Sequence, residues 1–147
     1  MTWGYILKPR LDKNDIVYIK KLLHEIEVAL DVIDRVIRKK RLRIDDKYAL
    51  RYAIVEIVES LALISQRIAH AMDYPLEGYI EAMRFYSKAN VLDEDIVNGL
   101  VRLARLRNLI IHRYWEVDDN RIVVEARDNG LEVIRRALDG IRRFIEG

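Results

Sequence analysis

Three features of the 147-residue sequence predict an all-α fold, an antiparallel bundle of about five helices. Long segments carry apolar residues three or four apart, no segment alternates apolar with polar residues between Gly- or Asn-rich turns, and the connections are short enough to make neighbours antiparallel. The first helix is expected over 15–39, where Ile16, Ile19, Leu23, Ile26, Leu30, Ile33 and Ile37 form one stripe. Arg38, Lys39 and Lys40 suit its negatively polarised C-terminus. A second helix opens after Asp45 and Asp46, whose carboxylates can accept the free amides of a first turn, and ends near Met72. Leu50, Ile54, Ile57, Leu61, Ile64 and Ile68 run down one of its faces. Asp73-Tyr74-Pro75 breaks it, because proline removes a donor and holds Tyr74 extended. A shorter helix is expected over 76–89, and a strong one from about Asp93 to at least Ile111. The last spans 120–146, with Leu131, Ile134, Leu138, Ile141 and Ile145 as its stripe and Gly130 as an internal weak point.

Apolar residues make up 51% of the chain, enough for one core, and residues 1–147 read as a single domain that includes an extra N-terminal segment over 1–14 containing Trp3 and Tyr5. Cysteine is absent, which excludes disulfides, thiolate metal sites and cysteine nucleophiles. No metal ligand set or cofactor is expected, since the phosphate-loop, HExxH, CxxC and EF-hand patterns are all missing. No stretch approaches 18 uninterrupted apolar residues, so no membrane contact and a cytoplasmic location are expected. The net charge is only +2, but Arg35, Arg38, Lys39, Lys40, Arg41 and Arg43 cluster; a solvated helix end accounts for them as well as a polyanion contact does.

The informative stretch is 103–115. On a wheel of about 100° per residue, Arg107 falls in the middle of the apolar arc of its helix, Asn108 lies beside Val97 and Trp115, and His112 sits at the rim, rotated about 140° from Arg107. A guanidinium on an apolar face must meet something. The alternatives are an internal ion pair with Glu56 or Glu59, a side chain whose head snorkels to water, or a cleft in which Arg107 receives a phosphate and Asn108 orients it. Tyr114, seven residues beyond Arg107, aligns with it if the helix continues, whereas His112 does not. Either the helix loosens after Ile111 or a second copy completes the cleft across a two-fold axis, which would also cover the apolar arc. Arg and His suffice chemically for RNA cleavage without metal: the 2′-hydroxyl attacks the adjacent phosphorus, histidine moves protons, and guanidinium stabilises the charged oxygens. DNA lacks that nucleophile.

Arg107-Asn108-Leu-Ile-Ile-His112-Arg113-Tyr114 resembles the Arg-x4-6-His motif of the HEPN superfamily, in the Arg-x4-His-x-Tyr form of its HepT-like ribonuclease toxins, over roughly 15–146. The resemblance implies a metal-independent endoribonuclease toxin acting on RNA as a homodimer, partnered by a minimal nucleotidyltransferase antitoxin. It implies Arg107 and His112 as catalytic residues, Asn108 as a substrate-orienting group and Tyr114 as the site of AMPylation. The alternative is a non-catalytic nucleotide-binding or scaffolding subunit that partners a nucleotidyltransferase; a plain helical dimerisation protein is a third reading.

Overall fold

Long amphipathic stripes make the first two helices, and their burial against each other makes the frame. The computed structural model describes residues 10–147, so the expectation about Trp3 and Tyr5 lies outside the described residues. Helix α1, Lys13–Ile37, starts two residues earlier than expected because Asp12 caps it. The Asp12 carboxylate accepts from the Asp15 amide at 2.8 Å, and the Asp15 carboxylate accepts in return from the Asp12 amide at 2.9 Å. Helix α2, Ile44–Ala71, packs antiparallel on α1, with Leu50, Ile54, Ile57, Leu61, Ile64 and Ile68 buried. The helix opens ahead of Asp45 and Asp46 rather than after them, and Asp46, from within the first turn, reaches back to accept the Arg43 amide at 2.9 Å.

An ion pair clasps each end of this hairpin: Arg67 with Asp15 at 2.6 Å, and Lys39 with Asp46 at 2.6 Å. The hydrogen bonds from Arg67 and Lys39 hold both carboxyls below the usual carboxylate range. Much of the basic run is therefore tied up locally, with Arg35 on Asp31 and Arg38 on Asp34.

Helix α3, Gly78–Lys88, lies against α2 through two buried hydroxyls: Ser65 donates to the Ala82 carbonyl at 2.6 Å, and Tyr86 donates to the Leu61 carbonyl. Helix α4, Glu94–His112, returns beside α2 and α3 and buries Ile96, Val97, Leu100, Val101, Ala104, Arg107 and Ile110. It ends at His112; Arg113 leaves helical geometry, and Tyr114–Glu116 form a single 3-10 turn. The helix thus loosens just after Ile111, one of the two alternatives open in the sequence, and the alignment of Tyr114 with Arg107 on one continuous helix does not form. The stop has a visible anchor, since Arg51 of α2 donates to the Tyr114 carbonyl at 3.1 Å and grips Asp119 through two bonds of 2.8 Å.

The last predicted helix is continuous from Asp119 to Glu146, as expected, but its two α segments, α5 (Asp119–Glu125) and α6 (Leu131–Glu146), are joined through a π turn over Ala126–Gly130. The interruption falls where Gly130 weakens the helix. Arg127 in that turn donates to the Ile37 and Lys39 carbonyls at 2.6 and 2.9 Å, satisfying the end of α1. At Gly99, an added Cβ would stand 2.6 Å from a methyl of Val133, so the approach of α4 to α6 requires glycine there. Among the described residues there is no strand, and no helix is long and apolar enough to cross a membrane.

Candidate functional site

Arg107 sits on the buried arc of α4 with its side chain 11% exposed, as its wheel position implies. Helix packing supplies the partner that the charge demands. Nη2 donates to Glu59 Oε1 of α2 at 3.0 Å and to the Tyr79 hydroxyl of α3 at 3.1 Å, while Nη1 donates to Asn108 Oδ1 at 3.1 Å. The guanidinium carbon lies 4.0 Å from the centre of the Tyr79 ring, and the Tyr79 hydroxyl donates to Glu59 Oε1 at 3.4 Å. Of the alternatives open in the sequence, the internal pair with Glu59 is the one formed. Nε is buried with no partner, an unmet donor costing on the order of 1–3 kcal/mol.

Glu59 is about half exposed, so this cluster lies at the mouth of the α2–α4 contact rather than in the deep core. Asn108 is half-buried and spends its side-chain oxygen on Arg107. His112 is exposed at the last position of α4, and no hydrogen bond joins it to Arg107. The structure thus brings Arg107 and Asn108 together, and among the described residues no hydrogen bond joins either of them to His112. Tyr114 is 62% exposed and meets Trp115 edge-on, with ring centres 5.3 Å apart; its hydroxyl has no hydrogen-bond partner among the described residues.

Two features are not legible from the sequence in the same way. Tyr79 stands 28 residues from Arg107 and only the tertiary fold unites them. The second is a stripe on α2: Ile44, Tyr48 and Tyr52 recur every fourth residue opposite the core face and remain about two-thirds exposed. That four-residue spacing is the signal the sequence offers for it. Arg51, on the same helix and directly before Tyr52, has its charge favoured by the hydrogen bonds to Asp119 and donates to the Tyr114 carbonyl. Ile111 and Trp115, at and just beyond the end of α4, are exposed as well. A cavity of about 580 Å³ between α4, α5 and α6 is lined by Arg102, Leu106, Arg121 and Val133 among others and contains none of Arg107, Asn108, His112 or Tyr114.

Residues 26–146 match the profile of the ribonuclease HepT-like family. A candidate RNase of Archaeoglobus fulgidus is 23% identical over 130 residues, covering 86% of this chain and 95% of that protein. Two solved structures share the fold. One is a toxin–antitoxin with AMP-PNP, at 16% identity and TM-score 0.77, covering 86% of this chain and 98% of that one. The other is a tri-AMPylated Shewanella oneidensis HEPN toxin in complex with an MNT antitoxin, at 17% identity and TM-score 0.77, covering 90% and 99%. The profile spans most of the chain, including the Arg107 cluster and Tyr114, and the chain belongs to the ribonuclease HepT-like family.

Proposed function

We propose that this chain is an endoribonuclease toxin whose cleft is completed by a second copy of itself and which a nucleotidyltransferase antitoxin silences. The observation that carries the reading is a nearly buried guanidinium, Arg107, held by three elements of the fold and retaining an unpartnered Nε, five residues before an exposed histidine. In the proposed reaction the 2′-oxygen attacks phosphorus, its proton passes to a base, and the 5′-oxygen leaves with a proton, yielding a 2′,3′-cyclic phosphate and a 5′-hydroxyl. Arg107 stabilises the charge on the non-bridging oxygens, Asn108 orients Arg107 and substrate, and His112 transfers protons. None of these steps needs a metal ion.

Because His112 stands off the Arg107 face, the two groups belong to one cleft only when a second copy contributes. Most of the apolar arc of α4 is covered within the chain, so the face left for that copy lies mainly on α2. The exposed surface of Ile44, Tyr48, Tyr52, Ile111 and Trp115 is apolar and suits it.

Tyr114 fits the modification role because its phenol is exposed and makes no hydrogen bond among the described residues. Its oxygen would attack the α-phosphorus of ATP, releasing pyrophosphate and leaving AMP beside the phosphate path. The solved toxin–antitoxin relatives support such a partner. The test is cleavage of single-stranded RNA, with a DNA of the same sequence as control, by purified protein in chelator. Cyclic phosphate ends, lost in Arg107→Ala and His112→Ala, are expected, and Arg107→Lys should also fall because a point charge cannot make two parallel bonds. Unchanged cleavage by Arg107→Ala, or an absolute need for added magnesium, would remove the assignment.

A further inference from the structure

We propose that Tyr79 is a positioning residue for Arg107, orienting the guanidinium for phosphate through its ring and its hydroxyl; the inference rests on the ribonuclease reading above. Its placement begins in the backbone. After Pro75 the chain must turn into α3, and Gly78 does so with φ of 79°, in the left-handed region that a Cβ strains. No atom lies within 4 Å of where that Cβ would stand, so the requirement for glycine is conformational rather than spatial. Tyr79 follows directly. Residues 79, 82 and 86 share one side of α3, the side whose later members are bolted to α2 by the Ser65 and Tyr86 hydrogen bonds. The same registration delivers the Tyr79 ring to the junction of α2 and α4.

The contacts divide the work of orientation. Glu59 and Asn108 bond to Nη2 and Nη1 and restrain rotation within the guanidinium plane, but two in-plane bonds do little against tilting. The ring face 4.0 Å from the guanidinium carbon restrains that tilt. The hydroxyl adds a second acceptor for Nη2 and steadies the Glu59 carboxylate that shares it. A charge developing on phosphate oxygens rewards donors already held in the right plane, because no reorganisation is then needed at the moment of reaction. Tyr79 therefore acts on the rate of the chemical step through Arg107, without touching substrate.

The experiment compares wild type, Tyr79→Phe, Tyr79→Leu and Arg107→Ala in steady-state cleavage of a short single-stranded RNA. It also follows the Arg107 side-chain NH signals by ¹⁵N NMR, assigned with Arg107→Lys. Tyr79→Phe keeps the ring and should lose about threefold to tenfold in kcat, and Tyr79→Leu about a hundredfold, with KM within about threefold of wild type. In Tyr79→Leu the Arg107 signals should show faster guanidinium rotation at unchanged helix content. A Tyr79→Leu enzyme within twofold of wild type, a loss residing in KM alone, or unaltered Arg107 signals would each overturn the positioning role while leaving the ribonuclease intact. If Arg107→Ala cleaves as wild type does, the reading beneath this proposal fails and Tyr79 falls with it.

Discussion

Arg107 and Tyr114 stand seven residues apart, yet the fold treats them in opposite ways. Around Arg107 it is the side chain that is held, by Glu59 from α2, Tyr79 from α3 and Asn108 from α4, and the group is almost removed from water. Around Tyr114 it is the backbone that is held, by Arg51 on the carbonyl, and the ring projects into solvent. A group that must meet a phosphate in one orientation gains by being held there before the phosphate arrives. A group that must be reached by another enzyme benefits from exposure on an anchored chain. The helix end at His112 separates the two regimes.

The contrast can be broken first at Arg51. Arg51→Ala removes both bonds to Asp119, leaving a 9% exposed carboxylate unpaired, and frees the Tyr114 carbonyl. Chemical denaturation should show a loss of about 2–4 kcal/mol, and hydrogen exchange should accelerate over 113–119 before it does around Arg107. Equal acceleration at both places would mean the two ends are not separately held. Glu59→Gln acts on the other end. It leaves a neutral acceptor beside the guanidinium, and because Glu59 is about half exposed the expected destabilisation is only about 1–2 kcal/mol. A larger change in the exchange of 113–119 than of α4 would contradict the division.

The scaffold beneath both ends responds to acid through Asp15 and Asp46. Their carboxyls lie below the ordinary value of 3.8 in the folded chain, so their contribution is complete above that value and is lost as pH falls through the folded values. Thermal melting in the acid range should show Arg67→Gln with a flatter pH dependence than wild type, because the Arg67 hydrogen bond is the largest cause of the Asp15 shift. An unchanged slope would remove Asp15 from the acid response. The smallest effect belongs to Tyr114→Phe, which should alter stability by no more than about 0.5 kcal/mol because the phenol is exposed and makes no hydrogen bond among the described residues. The same variant should gain no mass when incubated with the genomic nucleotidyltransferase and ATP, as intact-mass measurement would show. An AMP increment retained in full would place the modification elsewhere.

Whatever repeats locally is legible in the sequence. The stripes of α1, α2 and α4 follow from three-and-four spacing, and the same geometry locates Arg107 on the buried arc and narrows its ion-pair partner to Glu56 or Glu59. Gly130 marks the place where the last helix yields into a π turn. Tyr79 and the Arg51–Asp119 pair are invisible there, because contacts across 28 and 68 residues have no period and depend on how α3 and α5 are delivered. Tyr114 is misplaced on the α4 wheel because nothing nearby in sequence announces that Arg51 will hold its carbonyl and end the helix. The outer stripe of α2 is present in the spacing of Ile44, Tyr48 and Tyr52, but a helix with two apolar faces reads as one buried helix until its neighbours are known.

The proposed cleft unites Arg107 and His112 only between two copies, and mixing two inactive variants tests it most directly. Arg107→Ala and His112→Ala proteins, each verified as folded, are unfolded together, refolded as a mixture and assayed on single-stranded RNA. If each cleft takes Arg107 from one copy and His112 from the other, random pairing makes half of the dimers mixed and restores one of two clefts in each, so about a quarter of wild-type activity should return. A mixture as inactive as its components, alongside an active wild type refolded identically, would show that both groups act within a single chain and would contradict the shared cleft.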